Sequence, residues 1–187
     1  MDEQVEAVVL EKVRRTDPGV GLHQGKIEAA YDELQRELYS FVVRSSRNSA
    51  TAEEVVQEAF LRLIREARAG RYPTNPRAWL YTVCVNLVRS KARRQQVADR
   101  WLALVGHGQT VQPPEDQVLG SERADAVAMV VGTLPTDQRT AFLLTVQGFR
   151  GPEIARILGK SDGATRVLLF RARSAIRQAV LESEVKP

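Results

Sequence analysis

Residues 50–97 constrain the fold more than any other stretch, because they carry two long amphipathic helical patterns back to back. In the first, Ala52, Val55, Val56, Ala59, Phe60, Leu63, Ile64 and Ala67 recur at helical spacing and define one apolar face. The opposite face opens with Glu53, Glu54, Gln57 and Glu58 and turns basic only at Arg62 and Arg65. Thr51 is a capping residue type with Glu54 three positions on, so the helix is predicted to start at Thr51 and to end at Gly70. After a short turn, Asn75 is the predicted cap of a second helix with Pro76 at its first position, where the missing N–H is harmless. Leu80, Val83, Cys84 and Leu87 then point to a core, while Trp79, Thr82, Asn86, Arg89, Ser90 and Arg93 share a different face. This second helix ends basic, with Arg89, Lys91, Arg93, Arg94 and Arg100 against Asp99.

The remainder follows the same period. Residues 3–15 carry Val5, Val9 and Val13 at helical spacing, and a breaker-rich stretch with a solvated His23 follows. From Lys26 to Arg47 a stripe of Ile27, Ala30, Tyr31, Leu34, Leu38, Phe41 and Val42 predicts another helix. Residues 98–120 lose the pattern: WLALV either prolongs the helix or packs as an apolar clip, and GHGQTVQPPEDQVLG reads as an interdomain linker containing His107. Helical pattern resumes at Ser121 with Ala124, Val127, Ala128 and Val131; Thr136 is the predicted cap of the next helix, marked by Ala141, Leu144 and Val146. Beyond Gly148, residues 152–158 form a short helix closed by Gly159, and Ser161 caps a longer one running to about Leu181. Two helices joined by a three-residue, glycine-containing turn have helix-turn-helix spacing. No strand alternation of any length occurs, so the expected class is all-α: two small helical domains joined by a flexible linker.

Composition narrows the function. The 187 residues carry 27 basic and 23 acidic side chains, and this modest excess conceals strong local asymmetry. No apolar run nears the roughly 20 residues needed to span a bilayer. The acidic N-terminus lacks a signal peptide's order, so the expected location is cytoplasmic, without membrane insertion. One cysteine and two separated histidines build neither an internal disulfide nor a metal site. Glycine-rich phosphate loops and nucleophile elbows are absent. Adjacent acids such as Glu53 and Glu54 point about 100° apart on a helix and are not arranged for acid–base work. The expectation is no catalytic residue, no metal and no cofactor.

Nucleic-acid binding is better supported. On the last long helix Arg166, Val167, Phe170, Arg171 and Ser174 span a face opposite Leu169, Ala172, Ile176 and Val180. Four arginines and no acid lie between Gly163 and Leu181, a footprint suited to phosphates and base edges. The Trp79, Asn86, Arg89, Ser90 and Arg93 face combines an aromatic ring with hydrogen-bonding and cationic groups, as single-stranded nucleic acid requires. Plainer readings stand beside these: a solvated basic helix, a core tryptophan at 79, and acids at 53 and 54 that serve only the helix dipole.

AEEVVQEAFLRLIRE followed by NPRAWLYTVCVNLVRSKARRQ resembles region 2 of the bacterial RNA polymerase sigma factors. LPTDQRTAFLLTVQGFRGPEIARILGKSDGATRVLLFRARSAIRQAV resembles their region 4. The form with these two domains alone is the extracytoplasmic-function (ECF) group. The resemblance implies residues 26–97 as region 2, 98–120 as linker and 121–187 as region 4, with residues 1–25 an extension outside it. It implies docking of Glu54, Gln57 and Glu58, at the AE(D/E)-x-x-QE-x-F signature, on the clamp of the polymerase large subunit, with the flap as a further contact. It implies reading and melting of the −10 promoter element by the turn holding Arg71 and Asn75 and by the helix carrying Trp79, Asn86, Arg89, Ser90 and Arg93. The second helix of the helix-turn-helix is implied to enter the major groove at the −35 element, with Arg166, Phe170 and Arg171 at contact positions beside Val167 and Ser174. An anti-sigma factor is a further implied partner. Lys160 departs from the apolar residue usual at the turn, and Val167 and Leu168 stand where Ser and Arg are frequent; a shifted −35 preference is expected. An autonomous helix-turn-helix regulator and a protein-binding helical adaptor remain as alternatives.

Overall fold

A computed structural model describes residues 23–105 and 122–185. The helix expected at 3–15 and His107 lie outside them. Among the described residues every regular element is a helix: α1 (Gln24–Ser46), α2 (Ser49–Arg68), α3 (Pro76–Val105), α4 (Glu122–Thr133), α5 (Thr136–Val146), α6 (Gly151–Leu158) and α7 (Asp162–Val185). They fall into two compact units that divide after Val111.

In the first unit α1, α2 and α3 pack pairwise against one another. The predicted stripes of α1 and α2 are buried throughout, from Ile27 to Val42 and from Ala52 to Ala67. Aromatic edges lock the contacts, with Tyr31 against Phe60 at 4.9 Å and Phe41 against Tyr81 at 4.8 Å between ring centroids. Burying each such side chain contributes about 1.5–3 kcal/mol, which is what holds a unit this small together. In α3 Leu80, Val83 and Cys84 are buried as expected, but so are Tyr81, Val85 and Val88, and Leu87 is only half-buried. The cause is that α3 lies against both α1 and α2, so a wider arc of its surface is covered.

The connection between α1 and α2 is two residues, Arg47 and Asn48. Arg47 takes the left-handed conformation at φ 59° and closes α1 through its N–H on the Val43 carbonyl. Asn48, not Thr51, caps α2: its Oδ1 accepts the Thr51 amide at 2.8 Å. Ser49 and Ala50 extend the helix backwards, so the Thr51 amide becomes one of the orphan donors that a cap must satisfy. Asn75 caps α3 as expected, accepting from the Ala78 amide at 2.9 Å. At its other end α3 runs unbroken to Val105, so residues 98–105, expected to open the linker, are helical.

The second unit packs α4, α5 and α6 around α7. Its core gathers Val131, Leu134, Ala141, Leu143, Leu144, Phe149, Ile154, Ala155, Ile157, Leu158, Leu169 and Ala172. Buried Thr140 and Thr165 satisfy their hydroxyls on the carbonyls one turn back, Thr136 and Ser161. Thr136 is the first residue of α5 rather than its cap; Pro135 holds that position without a side-chain bond. Val146, one of the residues that mark α5 in the sequence, ends it exposed, and Ala128 on α4 is exposed too. The α6–α7 turn matches its sequence signature. Glu153 accepts the Arg150 amide at 2.8 Å to start α6, Gly159 at φ 60° ends it, and Ser161 Oγ accepts the Ala164 amide at 3.2 Å to start α7.

Candidate nucleic-acid and protein interfaces

On α2 the three residues expected to dock a partner, Glu54, Gln57 and Glu58, lie along the surface, Glu54 exposed and the other two half-buried. The carboxylates are not bare. Glu54 is ion-paired with Lys91 of α3. Glu58 accepts from Arg62 Nε at 2.9 Å and from Arg65 at 3.3 Å. The Arg62 hydrogen bond, aided by Arg65, holds the Glu58 carboxyl below the usual carboxylate range despite slight desolvation. The face therefore presents Gln57 flanked by two acids, each already balanced by a base of its own unit.

The turn before α3 is tied down at several points. Arg71 makes a two-pronged contact to Glu66, 2.9 Å from Nε and 3.1 Å from Nη2. Tyr72 donates to the Lys26 carbonyl at 3.2 Å and stacks on His23 with ring centroids 5.0 Å apart. His23, expected to be a solvated loop residue, is thus half-buried at the start of α1, because the turn folds back over it. Asn75 Oδ1 is committed to capping, which leaves only its amide nitrogen for a ligand. Along α3, Asn86 and Arg93 are exposed, and Trp79, Arg89 and Ser90 are half-buried on the same side. The half-burial of Trp79 fits neither a full core residue nor a free ring; its outer part is presented to solvent.

Periodicity could not find what anchors this helix. Glu37 of α1 accepts both Arg77 Nη2 at 2.5 Å and Tyr81 Oη at 2.7 Å, and the Arg77 guanidinium lies over the Tyr81 ring at 5.5 Å. Burial, reinforced by the Glu37 carboxylate, pushes the Tyr81 phenol far up, so it stays a donor. These three residues fix the start of α3, and with it the turn at 71–75, against α1. Cys84, by contrast, has no chemistry to offer: burial pushes its thiol up to about 12.

The α7 face differs in kind. Arg166, Val167, Phe170, Arg171 and Ser174 are all exposed, Phe170 at 72% and Val167 at 47%. Leu169 and Ala172 on the opposite side are buried, and Leu168 is half-buried. Lys160 is accommodated by an ion pair with Asp137 of α5 at 2.9 Å, so the charge stays at the rim while Ile157 and Leu158 fill the turn. Buried Arg139, which no sequence signal marked, donates from one Nη to the carbonyls of Gly132 and Leu134 at 3.0 and 3.1 Å. It closes the end of α4 from within α5.

An exposed aromatic ring among arginines on the second helix of a helix-turn-helix suits duplex DNA. Residues 30–97 match Sigma-70 region 2 and residues 124–176 match Sigma-70, region 4. The ECF RNA polymerase sigma factor EcfG of Rhodopseudomonas palustris is 32% identical over 142 residues, covering 74% of this chain and 76% of EcfG. The chain is an ECF-group sigma factor. The ECF sigma factor BldN of Streptomyces coelicolor is 31% identical over 172 residues, 89% of this chain; the chain spans 63% of BldN. The co-crystal structure of the sigma factor RpoE from Bartonella quintana with the anti-sigma factor NepR shares the fold. Its TM-score is 0.66 at 20% identity, covering 87% of this chain and 99% of RpoE.

In this sigma factor α1–α3 hold the region 2 match and α4–α7 the region 4 match. Among the described residues no cluster of His, Cys, Asp or Glu is placed to hold a metal ion, and no helix is long and apolar enough to cross a membrane.

Proposed function

We propose that this sigma factor binds core RNA polymerase and directs initiation from a specific promoter, working in the cytoplasm. Residues 26–97 form the part that docks on polymerase and reads and melts the −10 element. Residues 121–187 form the part that reads the −35 element, and residues 98–120 join them. The observation that carries this reading is the pair of outward faces on successive units: Trp79, Asn86, Arg89, Ser90 and Arg93 on α3, and Arg166, Val167, Phe170, Arg171 and Ser174 on α7.

The division of labour follows from chemistry. Melted DNA offers ring faces and a flexible phosphate chain, which an aromatic residue beside amide and guanidinium groups can hold. The turn with Arg71 and Asn75 borders the place where a base leaves the stack. Duplex DNA offers base edges in the major groove, where arginines donate to guanine and apolar groups such as Val167 and Phe170 meet thymine methyls. Each reader alone is weak. Held in register by a larger partner, the second contact is made at high effective concentration. Glu54, Gln57 and Glu58 supply the surface for that partner at the clamp of the large subunit, and the region 4 unit meets the flap. Because RpoE was crystallised with an anti-sigma factor, a similar inhibitor is proposed to sequester this chain.

Run-off transcription over a genomic promoter library tests the reading. A discrete set of start sites should appear only when core polymerase and this protein are both present. The same set from core alone, or no set from the mixture, would sink it.

A further inference from the structure

α3 continues well past the core it serves. Its last fully buried contact is Val88, and every described side chain from Arg93 to Trp101 is exposed. Among these are two large apolar residues, Val97 at 56% and Trp101 at 68% exposure. A free helical end of this length is marginal in water by itself, and a partner covering these side chains would stabilise it. Their placement on the helix is informative. Taking Asn86 as the centre and about 100° per residue, Trp79, Thr82, Arg89, Ser90 and Arg93 lie within about 60° of it, and so do Val97, Arg100 and Trp101. Between Arg89 and Trp101, residues extending the core would fall on the opposite arc, yet there that arc carries Lys91, Gln95 and Ala98. Exposed Val97 and Trp101, with Arg93 and Arg100, instead prolong the face proposed for DNA.

We propose that Val97, Arg100 and Trp101 continue the nucleic-acid face of α3, with Trp101 a stacking platform for a base and Arg93 and Arg100 contacts for its phosphates. Charge selects the occupant: exposed Arg93 and Arg94 precede the ring by two turns and exposed Arg100 adjoins it, which favours a polyanion with flat bases over an acid-free apolar protein groove. Trp101 lies 15 residues beyond Asn86, about 22 Å along the axis, or roughly six nucleotides at 3.4 Å each. The site thus takes a DNA strand that runs on past the −10 segment. This inference rests on the −10 reading of α3 and extends it.

The test uses holoenzyme reconstituted from core polymerase and the full chain. The probes are forked promoter DNAs that end at the −10 segment or carry six more nucleotides on one side or the other. Wild type should bind one of the extended forks more tightly than the short one. Trp101→Ala should cost about fivefold or more on that fork and nothing on the short one, as expected for one lost stack. Trp101→Phe should restore most of the affinity, and Arg100→Ala should flatten the salt dependence on the extended fork alone. Equal loss on all forks, or no loss on any, would overturn the proposal, as would weakened binding to core polymerase with DNA affinity unchanged. Asn86→Ala, run in parallel, should weaken every fork; if it does not, the −10 reading fails, while the Trp101 result is judged on length dependence alone.

Discussion

The α7 face proposed to read DNA and the α2 surface and turn proposed to meet partners in the other unit stand in different states. On α7, no hydrogen bond or ion pair among the described residues engages Arg166, Arg171 or Ser174, and Phe170 stands in solvent. On the region 2 side, the groups expected to meet partners already hold one another: Glu54 with Lys91, Glu58 with Arg62 and Arg65, Arg71 with Glu66, Asn75 with its own helix. The difference follows from the two targets. A duplex is a regular object that a rigid helix can meet unchanged. Under the proposed function, melting a promoter and docking a large enzyme would exchange one set of contacts for another, and the region 2 groups stay solvated and neutralised for a partner to replace their present bonds. Exposed ion pairs of this kind contribute little to stability, so the exchange is cheap.

The largest effect expected from this contrast is on docking. Glu54→Lys together with Gln57→Ala puts like charge beside Lys91 and reverses the sign met by a basic partner. Affinity for core polymerase should fall at least about tenfold, since like charges across an interface cost several kcal/mol. The thermal midpoint should move little, because Glu54 is exposed and Gln57 lies on the surface outside the core. A pull-down with unchanged recovery would remove the docking role of α2. Next come Phe170→Ala and Arg171→Ala. Each should cost about 1–3 kcal/mol of −35-dependent binding with no loss of fold, measured on promoters with and without that element. If α7 were only a solvated basic face, both would instead weaken all DNA alike.

A third prediction separates structural from recognition arginines within region 4. Arg139→Ala removes a charged donor from two carbonyls at the end of α4 and should destabilise the protein by about 2 kcal/mol, read from chemical denaturation. Arg166→Ala should leave that curve where it is. The smallest effect concerns pH. Because the folded Glu58 carboxyl sits below its ordinary value, its pairs with Arg62 and Arg65 contribute fully above the unfolded carboxylate pKa and are lost as pH falls through the lowered one. Glu58→Gln should therefore abolish a shallow acid-side loss of stability, within about 0.5 kcal/mol at neutral pH, and leave the curve above neutrality untouched.

The all-α class and the course of most helices were legible because the apolar period is unbroken: Ile27 to Val42 and Ala52 to Ala67 are buried as the spacing demands. The helix-turn-helix was legible for a local reason, since Gly159 and Ser161 each perform the one backbone task their chemistry suits. Boundaries were harder where two capping residues compete. Asn48 and Thr51 are both good caps, and only the backward extension through Ser49 and Ala50 chooses between them. The end of α3 was left open between a prolonged helix and an apolar clip at WLALV, because residues 93–101 lack a core-facing stripe for periodicity to read. Cross-helix partners were beyond reach for a general reason. Period tells which way a side chain points but not what it meets, so Arg77 and Tyr81 on Glu37, Arg139 under α4 and Lys160 on Asp137 emerge only in three dimensions.

The central claim is that the DNA-reading faces of this sigma factor act together only on polymerase. Promoter binding measured as a function of salt, for the chain alone and for the chain with core polymerase, tests it most directly. Alone, the chain should bind promoter and random DNA alike, weakly, with a log–log salt slope near about −3.6 for four phosphate contacts. With core polymerase, promoter should be strongly preferred over random DNA. Tight, promoter-specific binding by the isolated chain would contradict the account.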